Sequence, residues 1–524
     1  MDSSPATIPL LAQRALHERF RLIIAFLFIL CVMVYAIVVQ AAQGGIMVVV
    51  AAMVGAYMAM NIGANDVANN VGPAVGAKAM PLVAALIIAS IFEALGALIA
   101  GSNVVDTIRG GIIIPGAISD PDTFIWLMLG SLFAGAVWLN IATYVGAPVS
   151  TTHSIVGAVL GGGLAASGLH AINFPVLINI ILSWVVSPLL GGLFAAAFLY
   201  TLKYLVVYKD DKAEAARRLL PLLMFLMVWA FTTYLLLKSL SNIWKIDFVT
   251  AVAIGFLLGS AFYLWLRRRY LPQNKEIINT KYGVNQLFSL PLIFAAALLS
   301  FAHGSNDVSN AIGPLAAIVD TVRDAHLSKS VGIPFWVMVI GAIGISLGLV
   351  LFGAKLIRTL GSEITELDQM RAFCIAMAAA ITVIVASQFG LPVSSTHIAV
   401  GGIFGVGFLR EYLKTNYAQM LEEIREHYPE EERSTINDFM ERFEKATVRE
   451  RGIMLRKLKR LKKDKNAPAV LSKSERKNLR SVYKEELIKR SLVIRIAAAW
   501  LITVPASALL SAMFFFMLRG MLLP

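Results

Sequence analysis

Uncharged apolar runs recur along the whole chain, for example over residues 23–40, 46–60, 124–145 and 248–266. Each approaches the ~20 residues that a helix needs to cross ~30 Å of hydrocarbon. Runs bounded by charge, Pro or Gly predict about thirteen membrane segments, centred near residues 32, 55, 92, 133, 157, 188, 229, 257, 295, 342, 380, 401 and 505. Several are interrupted by Gly and Pro, which predicts broken or re-entrant helices beside full spans. The expected fold class is an all-α polytopic membrane protein of about 12–13 membrane segments.

Composition agrees with this pattern. The chain has 524 residues, 58% hydrophobic and 15% charged, whereas charged residues make up about a quarter of a soluble domain. The first apolar run follows Arg14, Arg19 and Arg21. It is longer than a signal-peptide core, and no clear small-x-small cleavage site precedes a soluble domain, so a retained membrane helix is expected. Cys31 and Cys374, both in apolar runs, imply neither a disulfide framework nor a metal cluster.

The net charge of +13 gathers in segments 203–218, 267–281, 355–371 and, above all, 410–490. Basic residues beside spans mark the cytoplasmic side. With a cytoplasmic amino terminus, alternation puts all four inside and leaves 102–123, with Arg109 as its one basic residue, outside. No nucleic-acid partner is expected from the tract Arg456 to Lys465. Residues 410–490 read as a charged helical cytoplasmic insertion without a catalytic motif, in a plasma-membrane protein.

An internal repeat organises the rest. GANDVANNVGP at Gly63 recurs as GSNDVSNAIGP at Gly304, and VGAPVSTTHSIVGAVLGGG at Val145 recurs as FGLPVSSTHIAVGGIFGVG at Phe389. Asp66 and Asp307 are 241 residues apart, and His153 and His397 are 244 apart. The predicted organisation is an amino-terminal helix (1–44), repeat 1 (45–205), linking helices (206–284), repeat 2 (285–409), the insertion (410–490) and a final helix (491–524). The two Asn-Asp blocks close the second and the ninth segments, an odd difference, so the copies enter the membrane from opposite sides. Inverted repeats with broken helices are a secondary-transporter architecture, with the substrate site where the copies meet.

An ionised Asp at membrane depth costs ~3 kcal/mol and faces a partner or a cavity. Asp66 and Asp307, with Asn69 and Asn310, are therefore candidate coupling-cation ligands, in helices expected to break at the flanking glycines. Capping alone would also use Asn and Asp; duplication at depth favours function. In the second block, Pro148 and Pro392 end one helix, and Ser150, Thr151, Thr152 and Ser394, Ser395, Thr396 stand where a half-helix begins. Free N–H groups and a positive dipole end make that start an anion site. His153 and His397 are auxiliary candidates. Glu93, whose repeat equivalent near Ile345 is apolar, is a further candidate cation partner. His303 has no counterpart in the first copy, where Ile62 stands, which argues against an essential role. Anion-binding helix starts beside carboxylates predict co-transport of an anion with cations. Importing one negative charge against a negative interior costs ~2.3 kcal/mol per 100 mV, and accompanying cations remove that cost.

GANDVANN, GSNDVSNA, PVSTTH and PVSSTH together resemble the inorganic phosphate transporter (PiT) family over residues 45–410 and the last span. The resemblance implies a phosphate symporter driven by sodium or protons, with no cofactor besides the coupling ion. By motif it implies phosphate binding by Asn65, Asn306, Ser150, Thr151, Thr152, Ser394, Ser395 and Thr396, and a role for Glu93. A homodimer is expected by analogy. The additional first span and the insertion before the last span depart from the family pattern, away from the site. A sulfate permease is the near alternative. A channel and an intramembrane hydrolase fit the duplicated layout less well, and no GxxxxGK[ST] loop supports an ATP-driven pump.

Overall fold

The computed structural model describes residues 10–40, 45–114, 116–118, 120–147, 149–239, 246–271, 279–324, 332–354, 357, 367–426, 442 and 490–522. Among them there is no strand, only an isolated bridge between Ile113 and Ile172. Fourteen long helices carry the fold: α1 (Leu10–Gln40), α2 (Gly45–Gly76), α3 (Leu82–Ala100), α4 (Pro121–Val145), α5 (Thr151–Ser167), α6 (Phe174–Leu202), α7 (Lys212–Tyr234), α8 (Phe248–Trp265), α9 (Ser289–Asp307), α10 (Ser309–Asp324), α11 (Phe335–Phe352), α12 (Gln369–Gln388), α13 (Ser395–Glu426) and α14 (Arg490–Leu522). Their starts follow side-chain chemistry: Asp120, Asp211, Asp247 and Asp368 each accept a hydrogen bond from the backbone N–H three residues on, which satisfies a donor that the helix itself cannot.

All thirteen expected segment centres fall within helices, and eleven helices among the described residues are long and apolar enough to cross a membrane. The centres at 295 and 401 lie outside those eleven. α9 is diluted by Ser300, His303, Ser305, Asn306 and Asp307, and α13 continues into a polar extension as far as Glu426. Most of the expected 410–490 insertion lies outside the described residues.

One expectation is corrected. The glycines of the first Asn-Asp block do not break its helix: α2 runs uninterrupted through Gly63, Asp66 and Pro73. In the second copy the ladder does break, at Val308 between α9 and α10. The glycines instead permit close contact between the copies. A methyl group at Gly63 would run into the Ile345 carbonyl, and one at Gly348 into that of Met60, where α2 meets α11. In the other half, Gly304 meets the Glu93 carbonyl and Gly96 that of Phe301, where α9 meets α3. The repeats are thus crossed, each lending a helix to the other. The same exchange joins α5 to α14 at Gly157 and Gly161, and α6 to α13 at Gly401 and Gly405. Without a hydrophobic drive between helices in lipid, small residues at such crossings supply the association through close packing.

Two apolar cores flank the polar middle of the molecule. One holds Val48 to Ile62 of α2 together with Val308 to Val319 around α10, and the other holds Val67 to Ala74 of α2 with Leu292 to Ala302 of α9. The two Asn-Asp blocks therefore pass between the same two cores in opposite senses, which leaves their polar residues level with each other.

The close approach is testable. Gly304→Val must displace the Glu93 backbone and costs about 3 kcal/mol as an overpacked contact, whereas a side chain at Gly72 has open space around it. Thermal unfolding in detergent is expected to show a lowered midpoint for Gly304→Val and an unchanged or raised one for Gly72→Ala.

Candidate functional site

Between the two cores, α2, α5, α9, α10 and α13 bring the duplicated blocks together. Asp66 and Asp307 are 1% exposed, and the hydroxyl blocks of α5 and α13 are buried around them. Thr151 Oγ1 lies 2.9 Å from Asp66 Oδ2 and 3.2 Å from Asp307 Oδ2. A hydroxyl has one proton to donate, so two carboxylates share it. Thr396 Oγ1 donates to Asp66 Oδ1 at 3.2 Å and Ser395 Oγ to Asp307 Oδ2 at 3.4 Å. Each aspartate is therefore held by hydroxyls of its own repeat and of the other.

The asparagines extend that exchange. Asn69 donates to Thr396 Oγ1 at 2.7 Å, and Asn310 donates to Thr152 Oγ1 at 3.2 Å and Thr151 Oγ1 at 3.3 Å. These equivalent bonds cross from one copy to the other, so Asn69 and Asn310 orient the hydroxyls that face the aspartates.

Asn65 and Asn306 reach the turns before the half-helices. Asn306 donates to Ser387 Oγ at 2.9 Å and to the Leu391 carbonyl at 3.1 Å, and accepts from the Val393 N–H at 3.3 Å. Asn65, with its amide turned over, accepts from Thr143 Oγ1 at 3.1 Å and donates both to the Val149 carbonyl at 3.1 Å and to Asp66 Oδ1 at 3.2 Å. Both clamp the irregular turn that precedes a half-helix. Thr143 and Ser387 are hydroxyls at the same repeat offset as the His residues, a signal present in the sequence that the motif reading passed over.

Those turns set up the half-helix starts. Gly146 and Gly390 carry positive φ, 75° and 65°, a conformation that favours glycine. Ser150 then caps α5 through the His153 N–H at 3.1 Å, and Ser394 caps α13 through the His397 N–H at 3.2 Å. The helical ladders begin only at Ser154 and Ile398, which bond back to the Ser150 and Ser394 carbonyls. The N–H groups of Thr151, Thr152, Ser395 and Thr396 therefore precede any intrahelical bond, beside hydroxyls already turned towards the site.

The two histidines of these blocks pack on each other, ring centroids 4.3 Å apart, and His153 also stacks on Trp184 at 3.8 Å. Trp184 Nε1 donates to the Pro392 carbonyl at 3.1 Å. His153 and His397 thus seat one half-helix start against the other.

His303, which has no counterpart in the first copy, lies among the site's carboxylates. It is fully buried, with Nε2 3.1 Å from Asp307 Oδ2 and 3.5 Å from Asp66 Oδ2, and Nδ1 3.3 Å from Glu93 Oε1. Glu93, also fully buried, accepts from Asn70 at 2.7 Å. Its expected place among the cation ligands becomes a place one residue removed from both aspartates. Asp66, His303 and Asp307 each offer a ligand atom within 4.8 Å of the others, a geometry that can hold a cation. Four oxygens around the blocks, Asn70 Oδ1, Glu93 Oε2, Asp307 Oδ1 and Asn310 Oδ1, are buried without a hydrogen-bond donor. A surplus of buried acceptors is what a bound cation relieves.

Comparison with known proteins agrees with this chemistry. The phosphate transporter family matches residues 62–511. A Helicobacter pylori protein named "Putative phosphate permease" is 50% identical over 515 residues, covering 96% of each chain. One of the same name from Chlamydia trachomatis is 38% identical over 379 residues, 68% of this chain and 88% of its own. A solved structure titled "The sodium-dependent phosphate transporter" superposes with a TM-score of 0.73 at 30% identity, covering 91% of this chain and all of that one.

Caps and clamps separate by stability. Ser394→Ala removes one cap and costs about 1 kcal/mol. Asn306→Ala leaves Ser387, Leu391 and Val393 groups buried without their partner and costs about 3 kcal/mol or more. Denaturation in detergent is expected to rank them in that order; equal costs would remove the clamp assignment.

Proposed function

This chain belongs to the phosphate transporter family, and on that premise we propose that it imports inorganic phosphate together with sodium across the plasma membrane, its amino terminus in the cytoplasm. The observation that carries this reading is the convergence of two aspartates, shared hydroxyls and two half-helix starts between the crossed repeats.

The division of labour follows from charge. Phosphate takes the anion-favouring end, the hydroxyls and free N–H groups of Thr151, Thr152, Ser395 and Thr396, where two helix dipoles present their positive ends. Sodium takes the acceptor-rich end, Asp66 and Asp307 with the buried oxygens around them. Ser150 and Ser394 shape the helix starts; Asn65 and Asn306 hold the turns before them. Each ion makes the other's binding more favourable by cancelling buried charge. A divalent phosphate moves without net charge when two sodium ions accompany it, which removes the ~2.3 kcal/mol per charge per 100 mV that the membrane potential imposes.

Alternating access is the expected transport cycle. The opposite passage of the two Asn-Asp blocks between the apolar cores supports an inverted pair of repeats, whose two arrangements would expose the same site to either side. Because every hydroxyl that bonds the aspartates joins α5 or α13 to α2 or α9, relative movement of the half-helices changes the site's access and its ligands together.

Uptake of labelled phosphate into proteoliposomes tests the reading. A sodium gradient is expected to drive accumulation above equilibrium, a proton gradient alone is not, and excess sulfate leaves uptake unchanged. Asp66→Asn and Asp307→Asn are each expected to reduce sodium-driven uptake at least about a hundredfold, the loss of a charge-assisted contact at a buried site. Accumulation driven equally by protons, or strong sulfate inhibition, would overturn the choice of ion.

A further inference from the structure

Around the duplicated site the Asn-Asp pairs and the hydroxyl positions of the Ser/Thr blocks correspond between the two copies, whereas one polar cluster has apolar equivalents. Gly63 packs on the backbone of Ile345, and its repeat partner Gly304 packs on the backbone of Glu93. Glu93 and Ile345 are therefore spatial equivalents. The residue before each glycine is Ile62 in one half and His303 in the other, and Asn70 stands in its repeat where Ala311 stands in the second. All six of these residues lie in the buried interior. One place thus holds Asn70, Glu93 and His303, and the equivalent place holds Ala311, Ile345 and Ile62. The three polar side chains occur together and are replaced together.

Within the polar cluster they form a chain. Asn70 Nδ2 donates to Glu93 Oε1 at 2.7 Å, the same oxygen lies 3.3 Å from His303 Nδ1, and His303 Nε2 faces Asp307 at 3.1 Å and Asp66 at 3.5 Å. A buried carboxylate placed behind a histidine whose far nitrogen meets a binding group is a recurrent way of fixing ring orientation and tuning ligand strength. The Glu93–His303 contact is an ion-pair distance without hydrogen-bond alignment, and loss of Asn70 removes the hydrogen bond that the buried Glu93 Oε1 accepts.

We propose that Asn70, Glu93 and His303 form a positioning arm, assembled once from both repeats and matched by apolar residues at the equivalent place, that holds the two Oδ2 atoms of Asp66 and Asp307 for the coupling cation and makes the two aspartates inequivalent. Glu93 acts through His303. The arm contacts none of the Thr151, Thr152, Ser395 or Thr396 groups assigned to phosphate, so its work falls on the cation. The inference rests on the sodium-coupled reading above.

Phosphate uptake into proteoliposomes, measured against sodium concentration for wild type, Glu93→Gln, His303→Gln and the double variant, tests it. Each single variant is expected to raise the half-saturating sodium concentration roughly tenfold, the usual effect of losing such an outer partner, while half-saturating phosphate at saturating sodium moves less than twofold. The double variant is expected to match the worse single one, because both substitutions cut the same chain. Gel filtration and thermal unfolding in detergent establish that each variant is folded; a variant that is not is replaced by Asn70→Ala, expected to shift sodium half-saturation in the same direction. Unchanged sodium dependence, a shift confined to phosphate, or single effects that multiply in the double variant would overturn the arm while leaving sodium coupling intact. Wild-type uptake indifferent to sodium would overturn the coupling itself.

Discussion

The structure turns on the burial of two carboxylates in the interior of a membrane protein. Asp66 and Asp307 are taken out of water, and an uncompensated charge there costs several kcal/mol. Their compensation is assembled from both repeats at once: Thr151 serves both aspartates, Thr396 reaches Asp66 from the opposite copy, and Asn69 and Asn310 brace the hydroxyls across the same boundary. Neither repeat contains a complete set of partners. The crossed packing of α2 on α11 and α3 on α9 brings the donors and acceptors within reach, and the glycines at those crossings allow the approach.

The same arrangement limits what the polar centre can pair with. A polar centre between two apolar cores has few alternatives: its groups pair with each other, with an ion or with water, since lipid satisfies none of them. The described acceptors without donors, including Asp307 Oδ1 and Asn310 Oδ1, mark where the protein by itself leaves the pairing incomplete. Under the proposed function, ions that complete it are held by both repeats, so binding and the relation between the repeats are linked.

The capping and binding readings of the Ser/Thr blocks turn out to divide between residues. Ser150 and Ser394 take the cap, through the N–H groups of His153 and His397. Thr151, Ser395 and Thr396, one or two residues further, bond the aspartates, and Thr152 donates to the Val393 carbonyl. Asn65 and Asn306 were grouped with them by motif, yet they hold Val149, Leu391 and Val393 in the turns that precede the helices. Motif membership groups residues by neighbourhood in the chain, whereas a helix points successive side chains about 100° apart.

Much of this protein was legible in its sequence, because hydrocarbon imposes simple rules: runs of apolar residues become helices, and Asp, Asn and Ser within them are placed for a reason. The thirteen segment positions, the repeat and the pairing of its two blocks followed from composition and spacing alone. What needed the tertiary structure were contacts between distant stretches. The continuity of α2 through its glycines depended on α11 lying close enough to require them. The place of His303 depended on Glu93 coming from α3, which sets a residue without a counterpart beside a partner equally without one. Sequence repetition reveals what the two halves share; the interaction of the parts they do not share is decided only where the halves meet.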